Sequence, residues 1–331
     1  MYYIGMDIHK QFTVAVVKDK EGNELENEKF ENSKEKFREF LMYYPSDKTE
    51  IVIESTCVWE YIYELLEEMN YKVKLSNPTR TRAIASARIK TDILDASTLA
   101  DLLRANLVAE SYIPPKHIRR LREITRERRT FVKQTTQIKN RIHAILIKRG
   151  VKLPYATLCK SALNWLLTET EIDDMLEHYV NLLEYHQQEL TAVENTVREI
   201  AKENEQAKLL TTIPGIGELR AIDLLAEIGE IERFESSDKL ASYAGLVPSL
   251  KQSGNSLRFG RLIRQSNRVI KGTLIEASWN IVRTREPNQL QIFYKKLCKK
   301  KSKQKAICAT ARKMCCIIHS MLRKNQPFII L

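Results

Sequence analysis

The sequence predicts an α/β domain followed by two mostly helical ones. Three observations carry this: a strand-rich opening segment, a change of apolar periodicity near residue 115, and two long helical stripes in the middle of the chain. YYIGMDI and TVAVVKD are short apolar runs separated by HKQF, and NEKFEN follows a Glu21-Gly22-Asn23 turn, so three strands in a meander open the chain. SKEKFREFLMYY is amphipathic, KTEIVIEST is β-rich, VWEYIYELLEEMNY is helical, YKVKLSNP is a further strand ending at Pro78, and IKTDILDASTLADLLRAN is helical. Three strands followed by strand and helix in alternation match the ribonuclease-H type of α/β fold, which sets a first domain at 1–115.

Residues 116–208 form a helical or coiled-coil middle domain. Leu121, Ile124, Phe131, Ile138, Ile142 and Ile145 fall at helical spacing, and Ile172, Met175, Tyr179, Leu182, Leu190, Val193, Val197 and Ile200 make a second stripe beyond the break at Gly150 and Pro154. The two stripes suit an internal helix pair or an interface between chains equally well. Residues 209–331 form a mostly helical third domain, which contains a Gly-, Ser- and Arg-rich stretch, SLKQSGNSLRFGRLIRQSN, and the basic run KKLCKKKSKQK.

The chain has 331 residues, enough for more than one core, and its 10 Gly and 9 Pro leave no room for a long disordered linker. Lys plus Arg number 54 against 42 Asp plus Glu, a net charge of +12, which favours a polyanionic partner such as nucleic acid or an anionic membrane surface. Asp7 and His9 interrupt what a signal peptide would need, and no apolar run approaches the roughly 18 residues of a membrane span, so a cytoplasmic protein without a membrane partner is expected. The six cysteines form no C-x-x-C pair, and Cys308, Cys315, Cys316 and His319 read as core residues of one helix.

Four acids stand out. Asp7 lies inside the apolar strand IGMDI, Glu54 ends the strand that should neighbour it, and Asp92 and Asp95 share a helix face. Singly they also read as a turn acid, a helix cap and first-turn acids; gathered, they repel unless a hard cation such as Mg²⁺ or Mn²⁺ lies between them. In the third domain, I-P-G-I-G before an apolar helix is a helix-hairpin-helix signature whose Gly215 and Gly217 free backbone N–H groups for a phosphate, or else a tight turn between helices. Arg258, Arg261, Arg264 and Arg268 would add phosphate contacts, and Arg122, Arg126 and Arg129 would present a basic surface from the first long helix.

Asp7 in Y-I-G-M-D, Glu54 in I-E-S-T and Asp92 with Asp95 in K-T-D-I-L-D-A resemble the DEDD motif of the insertion-sequence transposases named after the IS-one-ten and IS-eleven-eleven elements. I-P-G-I-G at 213–217, Y-A-G-L-V-P at 243–248 and Q-S-G at 252–254 resemble the same family's second domain. The resemblance implies a RuvC-like first domain whose acids hold Mg²⁺ or Mn²⁺, and a bacterial, nucleoid-associated enzyme that cuts and rejoins donor and target DNA. It implies that Ser253 is the nucleophile, with Ser256 its nearby decoy, and that an element-encoded guide RNA selects the DNA. It also implies a homo-oligomer, dimer or tetramer, whose acids and serine can come from different chains. The family often continues with Lys-x-Gly-Asn, where this chain has Arg264-Gln265-Ser266-Asn267, a change that bears on the local loop. A junction-resolving metal nuclease that uses water, and a non-catalytic nucleic-acid-binding protein, are the rival readings.

Overall fold

The computed structural model describes residues 1–85, 91–169, 174–253, 256–285 and 287–329. Gly254 of the Q-S-G motif and Ile172 of the second stripe lie outside the described residues. The chain divides into two compact units, Met1–Ile113 and Pro114–Leu331. The helical middle therefore shares a unit with the segment that follows it, where the sequence suggests a separate 116–208 domain.

In the first unit β1 (Tyr2–Ile8), β2 (Phe12–Lys18) and β3 (Glu24–Glu31) form the antiparallel meander, and β4 (Thr49–Glu54) and β5 (Lys72–Ser76) add to β1 in parallel, giving the order β3-β2-β1-β4-β5. The helices are α1 (Lys34–Leu41), α2 (Trp59–Glu68), α3 (Pro78–Ile84) and α4 (Asp92–Arg104). The inner strands β1, β2 and β4 are buried on both faces. Ile4, Met6 and Ile8 share a core with Phe37 and Leu41 of α1 and Ile62 and Leu66 of α2. The alternate positions face α4, where Val14 and Val16 meet Ala96, and Val52 meets Leu99 and Leu103. Each fully buried aliphatic side chain of this kind contributes about 1.5–3 kcal/mol.

Gly5 decides how closely α4 lies on the sheet: a Cβ there would sit 2.1 Å from the carbonyl oxygen of Ala96 and 2.5 Å from the amide of Ala100. Lys18, buried at the end of β2, reaches Asp101 of α4 at 2.5 Å and ties the same helix down from its other end. Thr91 caps α4 by accepting from the amide of Leu94.

The second unit begins with α5 (Lys116–Lys148), which packs antiparallel to α7 (Asp174–Glu203), with α6 (Lys160–Glu169) closing the far end. Ile138, Ile142 and Ile145 meet Leu163 and Leu166 of α6 and Leu176, Val180 and Leu183 of α7. The long helices thus pair within the chain. Over the first part of α7 the buried line runs one residue beyond the expected one, for Met175 and Leu182 are exposed while Leu176 and Leu183 are buried; farther along, Val197 is buried as expected. Adjacent apolar residues at 175/176, 179/180 and 182/183 give the sequence two candidate lines, and packing chooses the second.

At the other end Leu121, Val197 and Ala201 enter the core of α8 (Glu205–Thr211), α9 (Glu218–Ile228), α10 (Ser237–Tyr243), α11 (Arg268–Arg283) and α13 (Lys303–Lys324), with α12 (Gln289–Cys298) between the last two. Cys315 is buried in this core, and His319 Nε2 lies 3.0 Å from the Phe234 carbonyl, consistent with structural roles. The Gly-, Ser- and Arg-rich stretch, expected as a polar loop in a mostly helical domain, forms the antiparallel hairpin β6 (Pro248–Ser253) and β7 (Ser256–Leu262). Its cross-strand partners Leu250 and Phe259 are both exposed, so it lacks the buried alternate face by which a strand is read from sequence.

Candidate active site

β1 and β4 run parallel, with Met6 beside Ile53, so Asp7 and Glu54 follow at the same level on their carboxyl ends. Alternation puts both positions on the face covered by α4, whose first turn carries Asp92 and Asp95. The carboxyl ends of parallel strands are where open α/β sheets place their ligands. Gly5 matters here, since without it the start of α4 could not come down beside Asp7.

The structure brings Asp7 and Asp92 together around His9, which is not among the candidates the sequence offers. His9 Nε2 is 3.2 Å from Asp7 Oδ2 and 3.4 Å from Asp92 Oδ2. One ligand atom from each of the three lies within 4.8 Å of the others, a group able to share one cation. Glu54 and Asp95 stand outside that trio, though the charge of Asp95 reaches Asp7. His9 stacks on Phe12 with ring centroids 4.5 Å apart, and Asn32 Nδ2 donates to the His9 carbonyl at 2.8 Å. The Asp-x-His spacing at a strand end, which puts both side chains on one face, was the available signal.

Burial pushes the Asp7 carboxyl above the ordinary carboxylate range; the charges of Asp92 and Asp95 push the same way, while His9 opposes them. A buried acid crowded by two others and by an imidazole is a donor set that fits a divalent cation. A cleft of about 420 Å³ adjoins it, lined by Asp92, Thr91, Val14 and Lys29.

In the second unit, Gly215 adopts a φ of +90°, and a Cβ there would meet the Ala277 carbonyl at 2.9 Å, so this glycine serves the close approach of α11. Gly217 is the N-cap of α9 and has open space around it. Ser253 ends β6, with Ser256 as its register partner on β7. Arg258 and Arg261 on β7, and Arg264 and Arg268 beyond it, are exposed. Gly245 of Y-A-G-L-V-P, at φ +69°, makes room for Ser266, whose Oγ would lie 2.3 Å from a Cβ there. Asn267 then caps α11 and donates to Glu227 Oε2 at 2.7 Å, so the Arg264-Gln265-Ser266-Asn267 variant is built into a defined loop.

Arg122, Arg126 and Arg129 do not form an unencumbered basic face. Arg122 donates to the carbonyls of Ala226 and Glu227 at 2.7 and 3.1 Å, Arg126 reaches Glu227 at 3.5 Å, and Arg129 reaches Asp223 at 3.2 Å. They cap the carboxyl end of α9 and compensate its two buried acids, for which a charge pattern on α5 alone gives no cue.

Comparison with known proteins agrees with both halves of this arrangement. A family model of DEDD-type IS110 transposases matches residues 4–148, and one described as the transposase IS116/IS110/IS902 family matches residues 207–295. The chain belongs to the IS110/IS1111 family of transposases. Among similar proteins, the pilin gene-inverting protein of Moraxella bovis is 29% identical over 98% of this chain and 97% of its own length. The transposase for insertion sequence element IS1328 of Yersinia enterocolitica is 22% identical over 83% and 82%, and that for IS1111A of Coxiella burnetii is 23% identical over 84% and 79%. The IS110-family chain is thus a DNA transposase, and no helix among its described residues is long and apolar enough to cross a membrane.

Proposed function

We propose that this transposase cuts and rejoins DNA through a covalent serine–DNA linkage, with Ser253 as nucleophile and Asp7, Glu54, Asp92 and Asp95 as the acids of a divalent-metal site. The observation that carries the reading is the meeting of Asp7 and Asp92 at His9, which leaves a concentration of negative charge suited to a cation. Mg²⁺ or Mn²⁺, when bound, supplies Lewis-acid and positioning chemistry at the phosphate. The chain's own residues do the rest. Ser253 Oγ forms a bond to phosphorus, the bond from phosphorus to one ester oxygen breaks, and that oxygen takes up a proton as the serine hydroxyl loses one. Attack by another strand's hydroxyl reverses the sequence and frees the serine. The bond energy stays in the phosphoserine, so no nucleotide-binding loop is needed, and no G-x-x-x-x-G-K-[ST] run occurs in the sequence.

The exposed Arg258, Arg261 and Arg264 and the open amino end of α9 at Gly217 hold the DNA backbone, with Gly215 shaping the turn that precedes it. Donor and target DNA are chosen by pairing with an element-encoded RNA, and the active assembly is a dimer or tetramer. The test is excision and rejoining of a plasmid-borne element. Asp7→Asn and Ser253→Ala each reduce product at least about a thousandfold, on the scale of losing a nucleophile or its activating site. Ser256→Ala keeps activity. Full recombination by Ser253→Ala would return the chain to the water-using nuclease reading.

A further inference from the structure

A second cavity in the transposase, of about 630 Å³, lies between the base of the β6–β7 hairpin and the start of α13. Leu246, Pro248, Leu262 and Ala309 give it an apolar floor. Lys301, Lys305 and Arg312 stand around it, Gln304 adds an amide, and no acidic residue lines it among the described residues. Arg312 is held by Asp238 at 3.0 Å, whereas the ammonium groups of Lys301 and Lys305 have no acidic partner among the described residues. Both lysines belong to the basic run KKLCKKKSKQK. A solvated helix face would explain the charges but not the apolar hollow beneath them.

An apolar hollow beside unneutralised cations suits an unpaired nucleotide, with its base on the floor and its phosphates at the lysines. The place of the cavity narrows the source. Pro248 and Leu262 are register partners at the foot of the hairpin, and Ser253 is five residues farther along β6. At about 3.3 Å per residue this is about 17 Å of strand. The span corresponds to about five steps of stacked DNA at 3.4 Å each, and to fewer along an unstacked strand.

We infer that this cavity binds an unstacked nucleotide of the DNA strand attacked by Ser253, a few residues from the scissile phosphate, and so fixes the register in which that phosphate is presented. The inference rests on the serine reading above for which strand is bound; the cavity's chemistry stands by itself.

Cys308 lines the cavity and reports on its occupancy. The full chain is treated with iodoacetamide, alone and with a saturating thymidine oligonucleotide, an abasic strand of equal length, or a uridine oligonucleotide, and alkylation of Cys308 is followed by mass spectrometry. Binding of each strand is measured separately by fluorescence anisotropy. With strand at ten times its Kd, Cys308 alkylation slows by about tenfold for the thymidine strand, following the occupied fraction. The abasic strand protects much less. Ala309→Phe, which fills the hollow, removes the difference between the two strands, and Lys301→Ala with Lys305→Ala weakens protection without altering the fold. Cys315, buried in the core with its thiol pushed up to about 12, stays unmodified throughout and shows that the protein remains folded. Binding without protection of Cys308, or equal protection by the abasic strand, overturns the inference and leaves the serine reading intact. Protection by the uridine strand alone overturns the assignment to DNA, and failure of every strand to bind counts against both readings.

Discussion

Asp7 carries a charge that the fold alone does not accommodate. Its carboxyl is raised by burial and by Asp92 and Asp95, so the folded protein holds that proton more tightly than the unfolded chain does. Stability from this group therefore falls as pH rises through the folded-state pKa, and the penalty is fully present above it. At neutral pH without divalent cations, Asp7→Asn melts at a higher temperature than the parent chain; on acidification the difference closes. Added Mn²⁺ or Mg²⁺ reverses the order by stabilising only the parent. A metal-free Asp7→Asn protein less stable than the parent at neutral pH would show that the charge is compensated within the chain. The acid was legible because a carboxylate in an apolar strand is anomalous. His9 is not legible in the same way, because beside a turn it looks like an ordinary surface residue, and only the fold brings Asp92 to it.

At the scale of elements, the site depends on how closely α4 lies on β1, and Gly5 sets that distance. Gly5→Ala would force a methyl group against the backbone of α4 at Ala96 and Ala100, an overpacking that costs about 1–3 kcal/mol. Because α4 must move to admit it, the substitution weakens Mn²⁺ binding, measured by calorimetry, as well as lowering the melting temperature. Unchanged stability and affinity would mean that α4 is not held where the site requires it. The inner strands of the first unit, β1, β2 and β4, are readable because they are buried almost continuously, whereas β3 buries only Phe30 and is marked by its place after the Glu21-Gly22-Asn23 turn. The hairpin carrying Ser253 is not readable, because exposed Leu250 and Phe259 give it no buried side. The α7 line was ambiguous for the opposite reason, with apolar residues on two adjacent lines.

Over the whole molecule, the net charge of +12 and the exposed arginines after β6 predict DNA binding that weakens steeply with salt. Each duplex phosphate contacted adds about −0.9 to the log–log slope, so replacing Arg258, Arg261 and Arg264 by Ala lowers its magnitude by up to about 2.7. An unaltered slope would place the contacts elsewhere. Arg122, Arg126 and Arg129 should instead lower thermal stability when reversed to Glu, since they serve the buried acids of α9. Periodicity marked the long helices but not the units, because the cores that join α5 and α7 to α9, α11 and α13 depend on contacts remote in sequence. The central claim is the covalent serine linkage. Its most direct test is to run the reaction on a nicked or phosphorothiolate DNA substrate, denature it, and map the attached residue by mass spectrometry. A DNA adduct on Ser253 is expected, absent in Ser253→Ala and retained in Ser256→Ala; metal-dependent cleavage with no protein adduct would contradict a covalent serine linkage.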